Sequence, residues 1–70
     1  MERRAVQSSD LRSVGYDPQG EVLEIEFHSG GVCQYLGVPE PIYAALIQAG
    51  SKGTYFHSHI KDRFRVRWAR

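Results

Sequence analysis

Arginine alternates with apolar side chains near the end of this 70-residue chain, in the stretch Phe64-Arg65-Val66-Arg67-Trp68. In an extended conformation this alternation places the guanidinium groups on one side of the backbone and the apolar groups on the other. A row of guanidiniums can pair with successive phosphates, and an exposed aromatic ring can stack on a nucleobase. The stretch therefore favours a nucleic acid as a binding partner.

Further cations and rings extend this candidate surface along the chain. The side chains that we predict to contact nucleic acid carry either a positive charge or an aromatic ring: Tyr35, Lys52, Tyr55, Lys61, Arg63, Arg65, Arg67 and Trp68. A small domain also needs its tyrosines for the core, so burial is the competing interpretation for Tyr35 and Tyr43.

The net charge of +1 conceals opposite charges in two parts of the chain. Residues 13–40 contain five acidic residues and no Lys or Arg, whereas residues 51–70 contain six basic residues and Asp62 alone. A basic segment of this kind is typical of a nucleic-acid contact. The alternative is that the segment is solvated, or that it folds back and neutralises Glu24 and Glu26.

A protein-interaction module is the alternative function, because Tyr, Trp and Arg are also enriched at protein interfaces. Such a module would use an exposed edge of the sheet or the aromatic and arginine-rich C-terminal stretch. Salt separates the two functions. Phosphate binding weakens steeply with ionic strength, whereas an apolar interface does not.

Neither a catalytic site nor a metal site is predicted. His57 and His59 are two residues apart, so they would not face each other on a helix, and no Cys-x-x-Cys pair could complete a zinc site with His28. Cys33 lies mid-strand and is interpreted as a small buried residue rather than a nucleophile. Gly30-Gly31 leads into a strand, so it lacks the helix N-terminus of a phosphate-binding loop. We therefore expect a non-catalytic domain without a cofactor.

Three predicted strands, joined by short turns, form the framework for these residues. Leu11–Tyr16 and Val32–Leu36 are rich in apolar residues, and Val22–Phe27 alternates apolar with acidic side chains, as a half-buried strand does. Asp17-Pro18-Gln19-Gly20 and His28-Ser29-Gly30-Gly31 have the composition of turns. The short turns predict an antiparallel meander.

Two helices are predicted to follow the strands. Pro39–Ala49 begins with a proline, which needs no backbone N–H there, and carries an apolar stripe at helical spacing. Ser51 can cap a shorter second helix, in which Phe56 and Ile60 share one face. Phe64–Trp68 can add a short C-terminal strand. We therefore predict an α+β fold: a three-stranded antiparallel meander covered by one helix, then the second helix and this strand.

Length and composition predict one small domain. The chain has 41% hydrophobic residues, a single cysteine and no apolar run that approaches the roughly 20 residues of a membrane span. We divide it into a flexible N-terminal arm of residues 1–7, a domain of residues 8–64 and a basic tail of residues 65–70. A reducing cytoplasm is the expected location, and a monomer is the favoured state.

Short motifs follow one another in a characteristic order along the chain: Ser8-Ser9, Val14-Gly15-Tyr16-Asp17, Leu23-x-Ile25-x-Phe27-x-x-Gly30, Tyr35-x-x-Val38-Pro39, Tyr43-x-x-Leu46-x-x-Ala49-x-Ser51-x-Gly53-x-Tyr55-Phe56 and Ile60-Lys61. In order and spacing they resemble the KTSC domain over about residues 8–64. That family takes its name from the C-termini of lysyl-tRNA synthetases and also occurs as single small bacterial proteins. The resemblance implies a domain without an established activity, for which the attachment to a synthetase makes RNA the expected partner. One position departs, because the family's central Tyr-x-Tyr is Cys33-Gln34-Tyr35 here.

Overall fold

Apolar and acidic side chains alternate along Val22–Phe27, and they lie on opposite faces of a strand. In the computed structural model, which describes residues 1–70, Leu23 and Ile25 of this strand are fully buried. Glu24 and Glu26 lie on the other face, where they meet polar side chains from the neighbouring strands. Because this strand is the middle one of the sheet, its two faces continue as an apolar inner face and a polar outer face.

The sheet contains five antiparallel strands, arranged in the order of the chain: β1 (Arg4–Ala5), β2 (Leu11–Asp17), β3 (Val22–Phe27), β4 (Val32–Leu36) and β5 (Arg65–Trp68). The predicted α+β class is confirmed. The predicted count of three strands in the sheet is wrong: β1, which the sequence does not predict, pairs with β2, and the short C-terminal strand expected at Phe64–Trp68 pairs with β4 as β5. A two-residue strand such as β1 has no periodicity, so only its tertiary contact with β2 defines it.

Two helices pack on the inner face of the sheet. Helix α1 spans Glu40–Gln48 after the N-cap Pro39, and helix α2 spans Lys52–His59. Ser51 caps α2 as predicted, since its Oγ accepts a hydrogen bond from the Thr54 backbone N–H at 3.3 Å. Neither helix has the length and apolarity that crossing a bilayer requires.

One apolar cluster joins the helices to the sheet. Leu46 is the buried residue of α1, and Phe56 is the large buried side chain of α2. The Phe56 ring meets two sheet residues edge to face, with centroids 5.4 Å from Tyr35 and 5.6 Å from Phe27. The other buried members of the cluster are Leu11, Val14, Leu23, Ile25, Cys33, Val38 and Ile60.

A polar network covers the outer face of the sheet, where no helix packs. Gly15 pairs with Glu24 in the ladder, and a Cβ at Gly15 would lie only 3.0 Å from Arg3 Cγ. Because Gly15 has no side chain, Arg3 crosses it and pairs with the Glu24 carboxylate. From the other side, Gln34 donates a hydrogen bond to Glu24 at 2.7 Å and accepts one from Arg67. The buried carboxylate is therefore fully partnered.

Candidate nucleic-acid interface

The inner face of β5 extends beyond the helices and is open to solvent. Val66 and Trp68 lie on this face, in register with Tyr35 and Cys33 of β4. Val66 is 50% exposed and Trp68 is 70% exposed, although their two partners in β4 are buried. An apolar strip therefore runs from the core to the edge of the sheet.

A groove of about 330 Å³ lies between this strip and the end of α2. Its volume is at the lower end of the range for small-molecule pockets, about 300–1,000 Å³. The residues that line it are mostly apolar, with three polar side chains among them: Phe27, Cys33, Tyr35, Phe56, His57, Lys61, Asp62, Phe64, Val66 and Trp68. The buried rings of Phe56 and Tyr35 form its floor. The groove can therefore accept a flat apolar group and still offer hydrogen bonds.

Backbone pairing holds Trp68 in position. The pairing continues past this residue, since the Val32 N–H donates to the Arg70 carbonyl oxygen at 2.7 Å and the Ala69 N–H donates to the Val32 carbonyl oxygen at 2.8 Å. The indole passes close to Gly31, where a Cβ would lie 3.1 Å from Trp68 Cζ3. The indole thus has a defined place while most of its surface stays open for stacking.

Three cations between the end of α2 and the start of β5 form neither an ion pair nor a side-chain hydrogen bond. The ion pairs of the structure involve Arg3, His57 and Arg70. The exposed side chains of Lys61, Arg63 and Arg65 therefore remain available to an anion.

Two other basic residues at this end of the chain are already engaged on the outer face. The Arg67 guanidinium donates two hydrogen bonds to Gln34 Oε1, at 3.0 and 2.5 Å. Arg70 Nη2 lies 3.5 Å from Glu26 Oε2, so this end of the chain neutralises part of the acidic strand β3. These two arginines have fewer donors left for a phosphate than their neighbours have.

Of the remaining predicted contact residues, one is buried in the groove floor and two lie outside the groove. Tyr35 is 6% exposed, and burial together with the charges of Cys33 and Asp62 raises its pKa to about 12. The Lys52 ammonium donates to the Ala49 carbonyl oxygen at 3.2 Å, at the start of α2. The half-buried Tyr55 ring stacks on His59 at a centroid distance of 4.5 Å. The structure thus brings Tyr35 and Lys61 together with Trp68 along the groove, but not Lys52 and Tyr55.

Asp62 is not among the contact residues predicted from the sequence, and His57 is considered there only as a possible metal ligand. The two side chains lie with Lys61 along the groove. His57 and Lys61 are four residues apart around the end of α2, and this spacing could have placed them on one side. Asp62 has a φ of 64°, in the left-handed region. Asp adopts this conformation more readily than most residues do, but no pattern in the sequence predicts it at this position.

The candidate metal ligands do not converge. His57 Nε2 lies 3.4 Å from Asp10 Oδ2, and His28 Nε2 lies 2.9 Å from the Ser8 carbonyl oxygen. Cys33 is buried on the inner face of the sheet. Nowhere do three side chains of His, Cys, Asp or Glu come together as they would around a metal ion.

Residues 7–64 match the model of the KTSC domain. The chain belongs to the KTSC domain family. The resemblance inferred from the short motifs is thereby confirmed. A crystal structure of a KTSC domain protein from Yersinia pestis has a TM-score of 0.94 with this structure at 45% identity, over 96% of this chain and 94% of that one.

Similar sequences occur both as a short protein and as part of a long enzyme. An uncharacterised protein of Stutzerimonas stutzeri is 44% identical over 97% of this chain and 96% of its own length. A lysine–tRNA ligase of Nostoc is 37% identical over 84% of this chain, which spans only 10% of the ligase. Sequences similar to this chain therefore occur both as almost an entire short protein and as a small segment of a longer enzyme.

Cys33 lies on the apolar inner face of β4, and we expect it to be unreactive. It is 2% exposed, and burial raises the pKa of its thiol. Because the thiolate is the nucleophile, a thiol reagent should label the folded protein slowly and the urea-unfolded protein rapidly. Cys33→Val should melt close to the parent, since valine has similar bulk and suits a strand. Rapid labelling of the folded KTSC domain at neutral pH would contradict this expectation.

Glu24 should make the stability of this KTSC domain fall in acid. Burial alone would raise its pKa, but hydrogen bonds from Gln34 and Arg3 and the Arg3 charge hold the pKa below its ordinary value of 4.5. A group with a lowered folded pKa stabilises the fold fully above its unfolded pKa, and this stabilisation is lost as the pH falls through the folded pKa. The midpoint of urea unfolding should therefore drop as the pH falls below about 4.5.

The Glu24→Gln variant should show a flatter dependence of this midpoint on pH, because the titrating group is gone. Glu2→Gln is the matched control, since that side chain is exposed. An equal flattening in both variants would show that the acid sensitivity does not come from Glu24.

Proposed function

We propose that this KTSC domain is a non-catalytic module that binds single-stranded RNA through the segment from Lys61 to Trp68. The observation that carries the proposal is the 70% exposed Trp68 ring on an edge strand, close in sequence to three cations that form no ion pair. Proteins that bind single strands combine a stacking ring with cations that follow the backbone. Lys61, Arg63 and Arg65 supply the cations in this arrangement.

The outer face of the sheet is less suited to this task. Sheet-based RNA modules stack bases on aromatic residues that project from the middle of the sheet. Here the corresponding row consists of Gly15, Glu24, Gln34 and Arg67, whose polar groups are bonded to one another. Its centre is a carboxylate, which repels phosphate. The edge strand and its inner face therefore support binding better than the outer face does.

The relatives support RNA as the ligand. The lysine–tRNA ligase of Nostoc contains a segment similar to this chain, and tRNA is named among what such a ligase acts on. A second ligase of that name, from Trichormus variabilis, shows the same 37% identity over 84% of this chain. A small domain that contributes RNA affinity would serve such an enzyme and could also act by itself.

Replacing Arg63 and Arg65 by serine should weaken RNA binding and its dependence on salt. Each phosphate contact on a single strand contributes about 0.7 to the slope of log affinity against log salt concentration. Loss of both arginines should therefore lower the slope by roughly 1.4. Fluorescence anisotropy of a dye-labelled short single-stranded RNA, titrated at several salt concentrations, measures both quantities.

Arg12→Ser is the matched control for this experiment. Arg12 is an exposed arginine on β2, which β3 and β4 separate from β5 in the sheet. The control should bind like the parent, and both variants should keep the parent's melting temperature because the replaced side chains are exposed. If the parent binds no single-stranded RNA even at low salt, the proposal is wrong.

The free edge of β5 favours a second candidate, a protein partner. This strand is the last of the sheet, and its inner-face residue Val66 is 50% exposed. An extended segment of another protein could add to such an edge by backbone hydrogen bonds and place apolar side chains in the groove. That binding would change little with salt, so the same series of salt concentrations separates it from RNA binding.

A further inference from the structure

The groove beside Trp68 has features that the contact with phosphates does not use. Its floor and walls are largely aromatic, and it ends at a rim that carries the Asp62 side chain. A phosphate would avoid this carboxylate. A neutral flat ring that donates a hydrogen bond would instead be attracted to it.

Asp62 is held at this rim by the turn that links α2 to β5. The Lys61 N–H donates to the Phe56 carbonyl oxygen at 2.9 Å, and the Arg63 N–H donates to the Ile60 carbonyl oxygen at 3.0 Å. Between them Asp62 adopts a φ of 64°, which is uncommon for a residue other than glycine. The turn thus places Asp62 beside the groove.

The Asp62 carboxylate is also unpaired. No Lys or Arg forms an ion pair with it, although Lys61 and Arg63 are its neighbours in sequence. An exposed acidic group with free acceptor atoms, next to an aromatic groove, is suited to read a donor on a planar ligand.

We propose that the groove binds a nucleobase that carries an exocyclic amino group, with Asp62 accepting a hydrogen bond from that amino group and Trp68 stacking on the ring. This inference rests on the RNA binding proposed above and adds a preference among bases. Carboxylates accept hydrogen bonds from the N4 amino group of cytosine. Uracil presents a carbonyl oxygen at the same position, and this oxygen would face the carboxylate unfavourably.

A comparison of cytosine and uracil oligomers tests this preference. The two bases have nearly the same size and differ mainly at the group that Asp62 would contact. Trp68 is the only tryptophan of the chain, so quenching of its fluorescence reports binding at the groove. One charged hydrogen bond corresponds to roughly tenfold in affinity, and we expect the cytosine oligomer to bind tighter by about that factor.

Asp62→Asn is the decisive variant because it removes the charge while Asn tolerates the same left-handed backbone. Its amide can also donate to the uracil oxygen, so the preference for cytosine should disappear without loss of the fold. Arg63→Ser should instead weaken both oligomers to a similar extent. A melting curve of each variant shows whether the fold is retained.

The outcomes separate the two proposals. If neither oligomer binds the parent at low salt, RNA binding itself is wrong, and the base preference is wrong with it. If both oligomers bind the parent equally, or if the preference for cytosine persists in Asp62→Asn, only the base preference is overturned. A preference for cytosine that disappears in Asp62→Asn but persists in Arg63→Ser supports the proposed base preference.

Discussion

Replacing Leu46 by alanine is expected to leave most of the protein unfolded at room temperature. Leu46 is fully buried and is the side chain by which α1 enters the core. Truncation of a buried leucine costs about 2–5 kcal/mol. A single core in a domain of this size rarely supplies more than about 3–5 kcal/mol. The change should therefore remove most of the free energy of unfolding, which circular dichroism on heating measures.

Ile47→Ala in the same helix is the control for this prediction. Ile47 is only half-buried, so its truncation removes less apolar contact and should lower the melting temperature less. A Leu46→Ala variant that melts within a few degrees of the parent would show that α1 does not secure the core through this side chain.

Replacing Phe56 by alanine should destabilise the protein by a similar amount and also alter the groove. The ring is 2% exposed and makes edge-to-face contacts with Phe27 and Tyr35 of the sheet. Truncation of a buried phenylalanine costs about 3–5 kcal/mol, because a large cavity remains. The midpoint of urea unfolding, followed by circular dichroism, measures the loss.

Tyr55→Ala is the matched control, because it removes the neighbouring ring of the same helix. Tyr55 is half-buried and contacts His59, which is exposed. Its truncation should therefore cost clearly less than that of Phe56. Equal losses for the two variants would mean that the Phe56 contacts with the sheet are not what holds α2 in place.

The sequence predicts those parts of the fold that depend on contacts within one strand or one helical turn. The alternation in Val22–Phe27 correctly assigns Leu23 and Ile25 to the core, because a strand has a side-chain period of two. Ser51 marks the start of α2 because a side-chain cap acts within one turn. By contrast, β1 depends on Arg3 crossing Gly15 to reach Glu24, a contact between distant parts of the chain.

The candidate site was only partly predictable for a similar reason. The alternation in the C-terminal stretch predicts that Trp68 and the arginines lie on opposite faces of a strand, and β5 has this arrangement. The pattern does not show that Arg67 meets Gln34, because that contact depends on the register between β4 and β5. Nor does it reveal the groove, which lies between the exposed inner face of β5 and the end of α2, with Asp62 in its lining.

The order of the strands has a consequence for how the chain folds. Short loops connect β1 to β2, β2 to β3 and β3 to β4, whereas both helices lie between the paired strands β4 and β5. A pairing that closes a long loop forms late, and an exposed edge strand opens more easily than the core. We therefore expect the strand that carries Trp68 to dock late and to detach before the core opens. A ligand that contacts both β5 and the end of α2 would hold this strand in place, so that binding and completion of the sheet stabilise each other.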